Sequence, residues 1–138
     1  MKRVLYDTNV ILDVMLKREP YFFASAEALD LVAQEKIKGY ISGYAVTTIA
    51  YLLQRRLGSS KSRSALTDFL SKMVVAPLTD AAIRRALVSK FNNFEDAVTD
   101  AVAYEARTSL IITRNIRDFS KGTIPVVLPE IFLANFLK

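Results

Sequence analysis

Three acids raise the question of chemistry. Asp7 ends the apolar run in VLYDTNVILD (residues 4–13) and is followed by Thr8 and Asn9. Asp96 lies near the start of FEDAVTDAVAYEA, with Asp100 one helical turn further on, and Asp118 lies in TRNIRDF. A carboxylate carried out of a buried strand either caps a turn or holds a cation. The residues missing from the chain narrow what such acids can do. There is no Cys and no His. That excludes disulfides, thiolate zinc sites, a cysteine nucleophile, a Ser-His-Asp triad and imidazole acid–base pairs. Hydrolysis must then use carboxylates, Lys, Tyr or a metal held by oxygen ligands. Mg²⁺ and Mn²⁺ are the ions suited to oxygen donors.

The elements that must position these acids read as a single domain over residues 1–138. A chain of 138 residues with 51% apolar composition can bury a real core. No apolar run approaches the roughly 18–20 residues that span a membrane. The start, MKRVLYDTN, has basic residues, but Asp7 cuts its apolar run and no cleavage signature follows. A cytoplasmic location without membrane association is expected. The net charge of +5 suits a polyanionic partner such as nucleic acid.

Residues 3–7 (RVLYD) predict a first strand, and NVILDVML a short helix. Helical spacing runs from Tyr21 to Lys36. YIS is a short strand candidate, and Ala45 to Leu57 a helix stopped by Gly58. SSKSRSALTDFLSKM reads as a helix begun by Ser caps. VVAPL is a third strand. Asp80 or Thr79 caps AAIRRALVSKF, and Phe94 to Arg107 is another helix. SLIITRN and IPVVLP are the last strands, and PEIFLANFL a terminal helix with Pro129 in its first turn. Alternating strands and helices predict an α/β fold with a mainly parallel sheet. Ligands of such sheets bind beyond the carboxyl ends of the strands.

Asp7 and the pair Asn115 and Asp118 follow strands there. Asp96 starts the helix that leads into SLIIT. If the first and fourth strands are neighbours, these groups meet at one edge. Each also has a structural role open to it. Asp7-Thr8-Asn9 could be a turn and cap, and Asn93 with Asp96 resembles a capping box. Asp118 could pair with Arg114 or Arg117, and Asp100 could sit on a solvated helix surface. The joint pattern is more informative. Carboxylates about 5 Å apart repel by ~3 kcal/mol per pair at an effective dielectric near 20. Such a cluster must take up protons, spread apart, or bind a cation.

The motifs YDTNVILD, FEDAVTDAVAYEA and TRNIRDF, in this order, resemble the PIN domain family, the nuclease module of VapC-type toxins. The resemblance covers essentially the whole chain. It implies a three-layer α/β/α fold around a mainly parallel five-stranded sheet of order 3-2-1-4-5. It also implies a Mg²⁺- or Mn²⁺-dependent endoribonuclease, the toxin of a toxin–antitoxin pair, with RNA as substrate, a small antitoxin protein as partner, and a homodimer. Carried over by position, Asp7 and Asp96 are the principal catalytic metal ligands and Asp118 a further one. Thr8, Asn115, Asp100 and Thr48 would position water or substrate. Outside the carried-over positions, Arg114 or Arg117 could contact phosphate or stand as plain surface arginines. One position departs from the pattern. The family usually has a Glu early in the helix after the second strand, whereas ISGYAVTTIAYLLQRR holds no acid and places Thr48 there. Asp100 could compensate for the missing charge. The departure keeps a second reading open, a PIN-like domain that binds RNA or protein with weak or no nuclease activity. A phosphatase with an aspartyl nucleophile would want Asp-x-Asp after the first strand, and a receiver-like domain a Lys after a late strand. Neither is present.

Overall fold

The computed structural model describes residues 1–136. The terminal helix expected through Leu137 thus ends outside the described residues. The chain starts with β1 (Arg3–Tyr6), α1 (Thr8–Met15), α2 (Phe22–Ala33) and β2 (Lys38–Ser42). It continues with α3 (Gly43–Leu57), α4 (Ser59–Leu70), β3 (Val74–Ala76) and α5 (Asp80–Leu87). Then come α6 (Phe94–Glu105), β4 (Leu110–Ile112), a 3₁₀ turn (Ile116–Phe119), β5 (Val126–Val127) and α7 (Pro129–Phe136).

The five strands form one parallel sheet in the order β3-β2-β1-β4-β5, the order that the resemblance to the PIN family implies. β1 is central, with Leu5 in register with Tyr40 on one side and Ile111 on the other. Its residues Val4, Leu5 and Tyr6 are each 0% exposed. Burial on both faces explains why the run is apolar throughout and not alternating. The strand order reverses between β1 and β4, so a crevice is expected at their carboxyl ends.

The period-two alternation of a strand divides the core. Val4 and Tyr6 face α1, α2, α3, α4 and α7 through Ile11, Ala28, Ile49, Leu66 and Phe132. Leu5 faces α5 and α6 through Ala82, Ala97, Ala101 and Val102. The buried Tyr6 hydroxyl donates to the Ala28 carbonyl at 2.6 Å, which anchors α2 on the central strand. Gly39 is needed for the same close approach, since a Cβ there would lie 2.5 Å from the Val32 side chain.

Several ends differ from expectation. α2 stops at Ala33, short of Lys36, because Glu35 turns left-handed (φ +59°) and the Lys36 amide donates back to the Leu31 carbonyl at 2.9 Å. α4 has no serine cap. Gly58, with φ +83°, occupies that position. α5 ends at Leu87, short of Phe91, where the Ser89 hydroxyl donates to the Ala86 carbonyl at 2.7 Å. β5 is only Val126–Val127, flanked by prolines that cannot donate to a ladder.

Candidate active site at the carboxyl edge of the sheet

The backbone holds Asp7 at the switch point. Its amide donates to the Ile112 carbonyl of β4 at 2.9 Å. Its backbone is still extended, and its side chain caps α1 by accepting from the Thr8 amide at 2.9 Å. The other carboxylate oxygen accepts from the hydroxyl of buried Thr113 at 2.8 Å, with the Asn9 amide group 3.5 Å away. The residue that caps α1 therefore also lines the cleft. Burial pushes the Asp7 carboxyl above its usual range. The Thr113 and Thr8 hydrogen bonds oppose that shift, and the Asp118 charge adds to it.

Asp96 arrives from the other side on the first turn of α6. The Asn93 side chain caps this helix, accepting from the Asp96 amide at 3.1 Å. The Asp96 carboxylate itself accepts no hydrogen bond from the described residues. Its pKa is pushed up to about 6, first by burial, then by the charges of Asp7, Asp118 and Glu95. The three acids that the sequence singled out thus feel one another electrostatically.

Asp7, Thr8, Thr48, Asp96 and Asn115 line one cleft of about 220 Å³, together with Asn9, Arg18, Tyr44, Glu95 and Thr99. Asp118 is exposed and does not line it. Among the described residues no group of three or more acids is arranged to hold a metal ion. The carboxylates of Asp7, Asp96 and Glu95 line the cleft without forming a three-acid cage, and Glu95 is engaged by the Tyr44 hydroxyl. The Thr48 hydroxyl is turned toward the Tyr44 carbonyl, 3.5 Å away on its own helix. A larger cavity, about 620 Å³, lies elsewhere against Pro77, Thr79, Tyr104, Glu105 and Arg107. It brings together one carboxylate, so the chemistry points to the smaller cleft.

Two residues expected at the site are engaged elsewhere. Asp100 is buried one turn further along α6, outside the cleft. It accepts from the Thr123 and Ile124 amides at 3.0 and 3.1 Å and from the Thr123 hydroxyl at 3.2 Å. Gly122 lets that loop close, since a Cβ there would stand 2.6 Å from Asp100 Oδ1. Asp100 therefore cannot supply the anion missing at Thr48. A four-residue step turns about 40° round a helix, enough here to carry it out of the cleft. Arg114 is also committed. Its Nε and Nη2 reach the two oxygens of fully buried Asp13 at 2.6 and 3.1 Å, and its guanidinium stacks on Tyr21. Arg117 is exposed and in no ion pair among the described residues.

Sequence reasoning passed over Thr113, Arg18, Tyr44 and Glu95. Thr113 carried a signal, as the first polar residue after SLII. Tyr44 and Glu95 did not, because they meet across 51 residues through a 3.1 Å hydrogen bond.

The chain belongs to the PIN domain family, whose model matches residues 3–117. It is 24% identical over 136 residues to Ribonuclease VapC1 of Aquifex aeolicus, covering 95% of this chain and 93% of that one. Its fold resembles that of VapBC2 from Rickettsia felis, solved bound to a DNA fragment from its promoter. The TM-score is 0.71 at 13% identity, over 91% of this chain and 98% of that one. A toxin–antitoxin complex from Klebsiella pneumoniae aligns with TM-score 0.69 at 24% identity, over 91% and 97% of the two chains. No described helix is long and apolar enough to cross a membrane.

Proposed function

We propose that this chain is a Mg²⁺- or Mn²⁺-dependent endoribonuclease that hydrolyses RNA phosphodiesters, and the toxin of a toxin–antitoxin pair. The observation that carries the reading is that Asp7 and Asp96 line one cleft, that burial holds both carboxyls above their usual range, and that the charge of Asp7 adds to the shift of Asp96. A divalent cation relieves both. Mg²⁺ commonly takes one or two carboxylates and fills its other positions with water and substrate phosphate. Two acids and a ring of hydroxyl and amide groups fit that demand. A bound ion would neutralise phosphate oxygens and lower the pKa of a water.

The chain's own residues do the rest. Asp7 and Asp96 would hold the ion, with Asp118 acting through water. Thr113 and the Thr8 amide orient the Asp7 carboxylate. The Thr8 hydroxyl, Thr48 and Asn115 would orient water or substrate. Arg18 brings a cation to the cleft lining and would attract phosphate there, with Arg117 as a second contact. A small antitoxin protein, a homodimer and a cytoplasmic setting complete the proposal. The toxin–antitoxin complexes among the structural relatives support the antitoxin.

A second reading, an RNA- or protein-binding PIN domain with weak or no cleavage, is favoured by the acid-free position at Thr48. Cleavage of single-stranded RNA in Mn²⁺ separates the two. The nuclease reading expects cleavage by the parent and at least a hundredfold loss, equivalent to about 2.7 kcal/mol of barrier, in Asp7→Asn with an unchanged melting temperature. Equal rates in parent and variant would remove Asp7 from the site. No cleavage by the parent would favour the binding domain.

A further inference from the structure

α3 begins at the cleft and leaves it carrying an exposed ridge. Tyr44 and Thr48 line the cleft. Tyr51 and Arg55 stand seven and eleven residues beyond Tyr44, about two and three helical turns, so they share its face. The residues that α3 buries, Ala45, Ile49 and Leu53, lie on the opposite side. Tyr51 is 62% exposed, and the Arg55 guanidinium stands 5.8 Å from its ring centre. Past the end of the ridge Arg56, Lys61 and Arg63 are exposed as well. Isolated surface aromatics are ordinary. An aromatic and a cation aligned with a cleft on the same helix face are more specific, particularly on a chain of net charge +5.

We propose that this ridge is a track for single-stranded RNA leading into the cleft. A base stacks on Tyr51, roughly 10 Å along the helix from Tyr44. Arg55 holds the ring from one side and an adjacent phosphate from the other. The strand then passes Tyr44 to reach the acids. Stacking needs an unpaired base with a free face, so the track selects single strands over duplexes. Base–aromatic stacking accepts any base, so the track gives affinity with little sequence choice. Charge complementarity and continuity with the cleft favour RNA over a second copy of the chain as occupant. The proposal names the substrate form for the ribonuclease reading above and rests on it.

The test is binding of a short fluorescent oligouridylate to the full-length protein in EDTA at low salt, so that no cleavage occurs. Tyr51→Ala should weaken binding about tenfold, the loss of one stack. Tyr51→Phe should bind like the parent, because the ring suffices. Arg55→Ala should weaken binding and lower the slope of log affinity against log salt by about 0.7, one phosphate contact on a single strand. A hairpin of the same length should bind more weakly than the oligouridylate and be insensitive to Tyr51→Ala. Unchanged affinity in both alanine variants would overturn the track, as would equal loss on the hairpin or no binding by the parent. If Tyr51→Ala instead converts a dimer to a monomer in sedimentation velocity, the ridge is an interface between copies and the proposal falls. The ribonuclease reading fails separately. Parent protein that cleaves in Mn²⁺ while Tyr51→Ala binds normally sinks the track alone, whereas a Tyr51-dependent binder that never cleaves sinks the nuclease.

Discussion

Asp96 and Asp100 sit one turn apart on α6 and have opposite surroundings. Asp100 is buried and takes three hydrogen bonds from the loop before β5. Asp96 is half-buried, accepts none from the described residues, and faces other acids. Asp13 and Asp7, six residues apart at the start of the chain, repeat the contrast. Asp13 is fully buried and doubly bonded to Arg114. Asp7 is partly satisfied, and its charge adds to that of Asp96. An acid that the protein satisfies with its own donors is part of the scaffold. An acid kept close to other acids, with no ion pair of its own among the described residues, is available to a cation.

The contrast can be broken most severely at Asp13. Arg114→Ala would leave a buried carboxylate without its partner, and stability should fall by about 3–5 kcal/mol in urea denaturation. Arg114→Lys should recover part of that loss, since it keeps the charge but not the two-pronged geometry. A variant as stable as the parent would return Arg114 to the pool of phosphate contacts.

Asp100→Ala should cost about 2–4 kcal/mol, because the Thr123 and Ile124 amides lose their acceptor. RNA cleavage by the folded fraction should stay near the parent rate. A large drop in cleavage with little loss of stability would put Asp100 back in the site.

The smallest effect sharpens the comparison from the other acid. The folded-state pKa of Asp96 is raised from 3.8 to about 6. A raised carboxyl pKa means that the fold favours the protonated form. In metal-free protein its stabilising contribution is full below about pH 4 and is lost as pH rises through about 6. Asp96→Asn stays neutral throughout. Its stability relative to the parent should therefore increase between pH 4 and 7, by about 1 kcal/mol or less after solvent screening. A pH-independent difference would mean that Asp96 is not under this repulsion.

Much of the fold was legible because its signals are local. The unbroken apolar runs at Val4–Tyr6 and Leu110–Ile112 mark strands of the sheet, whereas the strand order that brings Asp7 to the cleft with Asp96 came only from the family resemblance. Helix ends were less legible. Residue type suggested a serine cap for α4, but the left-handed backbone at Gly58 took that place. The site was readable where sequence neighbours decide it, as at Asp7-Thr8. It was not readable where partners are distant. Asp100 meets Thr123 and Ile124, and Asp13 meets Arg114 across 101 residues. No spacing rule on one helix could show that Asp96 and Asp100 part company.

The most direct measurement of the central claim is a Mn²⁺ titration followed by thermal melting, in the parent and in Asp7→Asn. If Asp7 and Asp96 share a cation, the parent's melting temperature rises with metal, by the equivalent of about 2.7 kcal/mol at a hundredfold excess over Kd. Asp7→Asn then shows little or no rise. A parent that ignores millimolar Mn²⁺, or a variant that responds as strongly as the parent, would contradict the account.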